Sequence, residues 1–333
     1  MSFACDAWFA WFAAVSVQSL PLLLVVVVVD RLASPTFGPR FAAVLWSLVV
    51  VKFVLPPWLA PPVPAASIAA VVPQAAGDAP TFAGTLFVVW LIGVLVVLAV
   101  AACAARRARR WTRVGGVGSA QLHRRVARAA VRAAAAIGAV EPPRTFVSAI
   151  VDGACVIGIV RPTIVVPVEL ATRGGAALDA VLRHECAHVV RRDPWRAFGI
   201  GLLRAVWWFH PVVHVGARRL ALLREIACDR LAAAADPDGY RRALLSTARP
   251  RVLPAGLRFL TRHGALVTRL HALDALGRRH GRVRSGLGLA LVLGLACACL
   301  PVASSTHRDP FAAPGCLQLR YAVLAELARE SAP

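Results

Sequence analysis

Long stretches of this chain contain no charged side chain, which restricts it to a fold that shields whole helices from water. Residues 7–29 and 79–105 lack Asp, Glu, Lys and Arg, although the 333-residue protein carries a formal charge of +21. Between Arg106 and Arg284 lie 32 of the 38 basic and 11 of the 17 acidic residues, so this block carries the entire net charge. Soluble domains mix charged and apolar residues throughout. The segregation therefore indicates a membrane protein with one large polar block.

Four apolar stretches approach the length of about 20 residues that a membrane-spanning helix needs. We predict transmembrane helices at about 7–29, 41–60, 82–105 and 285–305. No Lys or Arg precedes the first stretch, which favours a retained helix over a signal peptide. The second stretch contains Lys52, for which snorkelling toward the outer interface is the favoured interpretation over a functional role inside the membrane.

The positions of the basic residues predict the orientation of these helices. Arg31 and Arg40 lie between the first two helices, and the loop 61–83 contains no basic residue. The third helix ends in RRARRWTR and the fourth follows RRHGRVR. Basic residues near helix ends favour the cytoplasmic side. We therefore expect a multi-pass protein of the cell membrane, with a cytoplasmic block 106–284 and both termini, including the tail 306–333, outside the cytoplasm.

The block contains a helical motif suited to metal binding. Amphipathic residues 119–137 precede strand-like runs RTFVS, ACVIGIV and PTIVVP, and then comes the helical pattern AALDAVLRHECAHVVRRD. His184 and His188 are four residues apart, so both imidazoles lie on one helix face and can reach one metal ion. Glu185 lies about 100° round the helix from His184, where it can act as a general base without being a ligand. Cys186 is expected to point into the core.

A second helical pattern, ARRLALLREIACDRLAAA, supplies a candidate third ligand. Glu225 and Asp229 are four residues apart and share a face. Glu225 would complete a catalytic Zn²⁺ site with three protein ligands, and Asp229 would accept a hydrogen bond from a ligating imidazole. The alternative is a solvated face that pairs with neighbouring arginines. Cys228, between them, is expected to be a packing residue.

Two further histidines occur in WWFHPVVH, between the two helical patterns. If the metal site hydrolyses a peptide bond, a hydrogen-bond donor is needed for the carbonyl oxygen that becomes negatively charged in the transition state. His210 and His214 are candidates for that role. The alternative is that they are interface or core residues.

These motifs together resemble the BlaR/MecR-type antirepressor membrane zinc metallopeptidases. The resemblance lies in VRPTIVVP, LRHECAHVVRRDPW, WFHPVVH and REIACD, and in three helices before the block and one after it. It implies a cytoplasmic α+β zincin-like (gluzincin) peptidase domain inserted between helices 3 and 4. It also implies that Asp193 is structural at a helix end. The implied residues are the Zn²⁺ ligands His184, His188 and Glu225, the base Glu185 and the supporting Asp229.

The resemblance implies a cytoplasmic protein substrate, a winged-helix transcriptional repressor, with self-cleavage as a further possibility. The β-lactam receptors of this family carry a penicillin-binding domain after the fourth helix, whereas about 30 residues follow it here. An SxxK acylation motif is excluded because Val49 stands three residues before Lys52, the single lysine. We therefore expect any inducing signal to be received by a different route.

Three other functions compete with this prediction. A housekeeping membrane protease of the heat-shock or CAAX-processing type also uses the HExxH motif, which is HECAH at residues 184–188 here, with a downstream Glu. The REIACD motif and the helix arrangement favour the regulatory type. A non-catalytic membrane receptor is disfavoured because every expected metal and base residue is present. Direct binding of nucleic acid is also disfavoured, because the arginines are not clustered on one helix that could contact bases. Attraction to the anionic inner leaflet explains the arginine clusters beside the membrane helices.

Overall fold

The computed structural model describes residues 2–54, 82–114, 116–234, 236–247, 263–274, 287–288 and 290–295. These residues are mostly helical, with one three-stranded sheet. The helices are α1 Ser2–Phe37, α2 Pro39–Val54, α3 Phe82–Val114, α4 Ala120–Ala136, α5 Val168–Arg173, α6 Gly175–Val190, α7 Asp193–Val206, α8 Pro211–Ala232, α9 Pro237–Thr247 and α10 His263–Asp274. The strands are β1 Arg144–Ser148, β2 Cys155–Ile157 and β3 Thr163–Pro167.

Among the described residues, two helices are long and apolar enough to cross a membrane, namely α1 over Trp11–Phe37 and α3 over Gly84–Arg110, with 27 residues each. Most of the apolar side chains of α3 are exposed, as lipid contact would require. The second predicted span begins in α2, which is described over 16 residues. Of the fourth, residues 287–288 and 290–295 are described and helical. The other parts of these two predictions lie outside the described residues.

Helix α1 extends beyond its predicted membrane span. Helix α1 was expected to end near residue 29, but it continues to Phe37, and only Gly38 separates it from α2. Gly38 has a φ of 84°, a left-handed conformation that glycine adopts without steric cost. Asp30 does not end the helix because its carboxylate is buried and accepts a hydrogen bond from Trp46 Nε1 at 2.9 Å.

Lys52 also differs from its prediction. Its side chain is buried, and Nζ donates a hydrogen bond to Oε1 of Gln18 in α1 at 2.6 Å. The expected snorkelling to the interface is therefore wrong. Lys52 instead joins α1 to α2, because burying an ammonium group requires polar partners within the protein.

The sheet lies in the polar block and has the order β1-β3-β2, with β3 parallel to β1 and antiparallel to β2. The central strand is fully buried at Ile164, Val165 and Val166. Helices α4 and α6 pack on this sheet through alanines and leucines. The buried residues that α6 contributes, Leu178, Leu182 and Cys186, are spaced four apart and therefore fix which face of α6 meets the sheet.

Helices α7 and α8 pack against the apolar helices of the N-terminal region. Trp207, between them, is fully buried and stacks on Phe12 of α1 with ring centroids 4.2 Å apart. Trp90 of α3 donates from Nε1 to the carbonyl oxygen of Val206 at 2.8 Å. Helices α7 and α8 of the polar block therefore share one apolar core with α1, α2 and α3. On the opposite side, α9 and α10 close over α6 and the end of α8 through a small core that includes Tyr240.

Candidate metal centre

Three predicted ligand side chains converge where α6 meets α8. The imidazoles of His184 and His188 lie one turn apart on α6, with centroids separated by 4.8 Å. Glu225 approaches from α8, with Oε2 3.4 Å from Nε2 of His184 and Oε1 3.6 Å from Nε2 of His188. The three ligand atoms lie within 4.8 Å of one another. The side chain of Glu225 is 30% exposed, so this group of ligand atoms is open to solvent on one side.

The donor set fits a zinc ion. Two imidazole nitrogens and one carboxylate oxygen are ligands of catalytic zinc sites, which keep a fourth position open. Both Nδ1 atoms are occupied by carboxylates, with His188 Nδ1 2.9 Å from Asp193 and His184 Nδ1 3.1 Å from Asp229. Ligating histidines usually make such a contact, which fixes the ring orientation and leaves the other nitrogen for the metal. The nitrogens left for a metal ion are Nε2 of His184 and Nε2 of His188, which both face Glu225.

Asp193 does more than the helix-end role implied by the resemblance. It is the first residue of α7, and its carboxylate is buried against His188. Burial alone would raise its pKa, but the hydrogen bonds from His188 and Cys228 and the nearby Arg191 hold the pKa of Asp193 below its ordinary value. The residue therefore remains an ionised acceptor for the His188 imidazole.

Asp229 is the matching carboxylate behind His184, as its position on α8 predicted. Its side chain is 1% exposed, and it is held by Arg269 of α10 through two hydrogen bonds of 2.6 Å and by the hydroxyl of Tyr240 at 2.7 Å. Burial would raise the pKa of Asp229, but the Arg269 guanidinium and His184 hold it well below its usual range. Arg269 also lies 3.7 Å from Glu225, so one arginine contacts both acidic residues of α8.

The histidines and the carboxylates shift each other's pKa values. Burial would lower the pKa of His184, but its hydrogen bonds to Asp229 and Glu225 raise it to about 9. Conversely, burial would raise the pKa of Glu225, whereas His184 and His188 lower it.

Glu185 lies next to this group of ligands and is buried. Burial raises the pKa of its carboxyl, and the positive charges on His184 and His188 oppose that rise. The same carboxylate acts on Cys155 of β2, whose pKa is raised to about 11 by burial and then by Glu185.

The two cysteines next to the motifs take different positions. Cys186 is fully buried in the core between α6 and the sheet, where it was predicted to point. Cys228 is also fully buried, and in addition its thiol donates to Asp193 at 3.3 Å and lies 3.2 Å from Nδ1 of His188. Burial and the charge of Asp193 raise the pKa of the Cys228 thiol, so it stays protonated and acts as a donor.

His210 and His214 are not brought to this site. They lie 15 and 11 residues before Glu225 along the chain, which corresponds to roughly 22 and 16 Å of helix. His210 is buried against Phe53 and 3.5 Å from Ser19 of α1. His214 contacts the carbonyl oxygen of Trp208 at 2.8 Å. Their prediction as transition-state stabilisers is therefore wrong, and the alternative of core and interface positions is what the structure shows.

The site elements and the fold have the arrangement of a membrane-associated metallopeptidase. The chain belongs to the family described as "BlaR1 peptidase M56", which matches residues 10–273. This match spans α1 through almost all of α10 and includes every residue of the candidate centre. It confirms the resemblance inferred from the motifs, and membership of a peptidase M56 family implies metallopeptidase activity.

One curated relative aligns with part of the chain. It is the "Regulatory protein BlaR1" of Bacillus licheniformis, 32% identical over 72 residues. The alignment covers 22% of this chain and 12% of the relative. The aligned region is thus a small part of that protein's length.

The support of His188 by Asp193 can be tested through zinc affinity. Replacing Asp193 with asparagine removes the charge behind the imidazole, and we expect the affinity for zinc to fall by about 10–100-fold. Competition with a fluorescent chelator measures this directly. Asp179→Asn is the control, since Asp179 forms an exposed ion pair with Arg132 away from the site. Equal affinities for the two variants would show that Asp193 does not support the ligand.

Proposed function

We propose that this protein is an integral-membrane zinc metalloendopeptidase with a regulatory role. The observation that carries the proposal is the convergence of His184, His188 and Glu225 on one point, with the buried Glu185 beside them. A donor set of two imidazoles and one carboxylate suits zinc, and the adjacent carboxylate suits a general base.

The proposed roles follow from this geometry. His184, His188 and Glu225 would hold the ion, with Asp229 and Asp193 orienting the two imidazoles. Bound there, Zn²⁺ would supply Lewis-acid activation of water and of the scissile carbonyl. Glu185 accepts a proton from the attacking water and passes it to the leaving amine. Because burial favours its neutral form, Glu185 binds that proton more readily than an exposed carboxylate would.

The proposed substrate is a cytoplasmic protein, by family likeness a winged-helix repressor, with the chain itself as a second candidate. The name of the Bacillus licheniformis relative, a regulatory protein, supports a signalling role over general proteolysis. The proposed topology has four membrane helices and the peptidase domain on the cytoplasmic side. Its support is the concentration of basic residues at the inner end of α3 and in the polar block.

Removal of zinc tests the proposal. We expect the full-length protein in lipid bilayers to bind one zinc ion per chain and to hydrolyse an unfolded protein substrate. A chelator should abolish hydrolysis, because the proposed carbonyl activation depends on the metal. One equivalent of zinc should restore it. Metal content is measured by elemental analysis and hydrolysis by the appearance of new N-termini. Hydrolysis that persists after complete removal of zinc would contradict the proposal.

A further inference from the structure

The segment that joins the two metal-binding helices has an unusual charge distribution. Residues 197–217, which cover most of α7 and the first third of α8, contain a single Asp, Glu, Lys or Arg residue, Arg204. Basic residues flank the segment at both ends: Arg191, Arg192 and Arg196 before it, and Arg218, Arg219 and Arg224 after it. Basic residues at both ends of an apolar hairpin place both ends on the same side of a membrane, the cytoplasmic one.

The tip of this hairpin lies deep along α3. Trp90 of α3 bonds to Val206, and Trp208 Nε1 donates to the carbonyl oxygen of Trp90 at 3.4 Å. Trp90 is 16 residues from Arg106, where the cytoplasmic arginines begin, a distance of about 24 Å along the helix. The hydrocarbon core of a bilayer is about 30 Å thick. A tip seated at this level of α3 therefore lies inside the bilayer.

The close approach of the tip to α3 depends on a glycine. A Cβ atom added at Gly93 would lie 2.3 Å from the indole of Trp208. Gly93 is one turn from Trp90, so the same part of α3 accepts the indole and supplies the carbonyl that it bonds.

Helix α8 runs beside α1 and shares its direction. His210 meets Ser19 at 3.5 Å, and nine residues later Arg219 meets Asp30, eleven residues after Ser19, at 2.9 Å. These separations correspond to about 14 Å on α8 and 17 Å on α1. The two contacts therefore hold α8 alongside α1 over about half of the bilayer core.

Two polar side chains within the hairpin, Arg204 and His214, contact each other. Arg204 of α7 donates from Nε to Nδ1 of His214 on α8 at 3.3 Å. A neutral His214 ring with its proton on Nε2 then donates to the carbonyl oxygen of Trp208 at 2.8 Å. Polar groups in hydrocarbon need such internal partners, because no water is available to them.

The outer face of the hairpin is apolar and exposed. Phe198 is 45% exposed and Leu202 is 42% exposed, and the face also includes Trp195, Phe209 and Val215. Large exposed apolar patches on a water-facing surface are uncommon and mark an interaction site. This patch lies beside α3, which exposes its own apolar side chains. We propose that α7 and α8 form a hairpin inserted into the membrane from the cytoplasmic side, whose outer face contacts lipid acyl chains.

The hairpin has a consequence for the candidate metal centre, one that rests on the proposed function. Glu225 follows Arg219 by six residues, or about 9 Å of helix α8. A hairpin that leaves the bilayer near Arg219 therefore places the metal centre at the cytoplasmic surface of the membrane. Substrates would be cleaved close to that surface.

Carbene labelling from within the bilayer tests the hairpin. The full-length protein is reconstituted in phospholipid vesicles with an apolar photoactivated reagent dissolved in the acyl-chain region, and labelled residues are identified by mass spectrometry. We expect Phe198, Leu202 and Val215 to be labelled as strongly as Val88 and Leu95 of α3. Exposed apolar residues of the polar block serve as matched controls, and they should be labelled several-fold less: Val131, Val140 and Val160.

Two outcomes would overturn the hairpin. Labelling of α3 together with only control-level labelling of α7 and α8 would place the hairpin outside lipid, or under a second protein copy. Control-level labelling of α3 as well would refute both the hairpin and the membrane location. Loss of peptidase activity does not enter the measurement, so failure of the hairpin and failure of the proposed function are distinguishable.

Discussion

Replacing Glu185 with glutamine is expected to lower peptide hydrolysis by about 10²–10⁴-fold, the usual contribution of a general acid–base group. Glutamine has nearly the same shape, but it cannot accept the proton of the attacking water or return it to the leaving amine. The three candidate zinc ligands are unchanged, so zinc content should remain at the wild-type value. Hydrolysis rates and metal content are measured on the same purified full-length protein.

Glu169→Gln is the matched control, because Glu169 is exposed in the first turn of α5. It should retain wild-type hydrolysis. In cells, the Glu185→Gln variant should cause one cytoplasmic protein, or the uncleaved chain itself, to accumulate relative to wild type. Full hydrolysis by the Glu185→Gln variant, with zinc bound, would mean that a different residue moves the proton.

The parts of the site that could be predicted are those that depend on local helix geometry. His184 and His188 share a face because they are four residues apart, and the same holds for Glu225 and Asp229. The sequence could not show how the faces of α6 and α8 meet, since that contact joins residues far apart in the chain. The structure brings the four side chains together in the predicted combination.

Other site residues carried no local signal. Arg269 lies 40 residues beyond Asp229 and is one arginine among many in this chain, so nothing in its neighbourhood marks it. Tyr240 is one of two tyrosines and lies at the start of a short helix. Asp193 was recognised only as a helix end, although its position five residues after His188 is close enough for a return contact.

The errors have a shared physical cause. His210 and His214 were considered for catalysis because they occur in WWFHPVVH, between the two helical patterns that carry the candidate ligands. Lys52 was expected to seek the interface because a lone cation is costly inside a membrane. For two of these residues the structure supplies a partner on α1, Ser19 for His210 and Gln18 for Lys52. Those partners lie far away in sequence, so local patterns do not reveal them. His214 instead contacts Arg204 and Trp208, which are near in the chain.

The ion pair between Asp30 and Arg219 should give the largest stability effect in the part of the molecule outside the metal centre. Asp30 accepts hydrogen bonds from Arg219 Nε at 3.0 Å, from Trp46 and from Ser34, so it joins α1, α2 and α8 at one point. Removing one member of a buried pair leaves the other charge without compensation and costs about 3–5 kcal/mol. The side chain of Arg219 is 31% exposed, so we expect Asp30→Asn to destabilise by about 3 kcal/mol.

A double variant separates the cost of leaving the charge of Arg219 unpaired from the cost of losing its contact with Asp30. Combining Asp30→Asn with Arg219→Met removes both charges, and we expect it to be more stable than Asp30→Asn alone, because no buried cation is left unpaired. Asp179→Asn is the exposed control and should cost about 0–1 kcal/mol. Thermal unfolding in detergent measures these three variants and Arg219→Met alone. Strictly additive losses at Asp30 and Arg219 would mean that the two side chains are not coupled, and α8 would then need a different attachment to α1 and α2 to hold Glu225 in place.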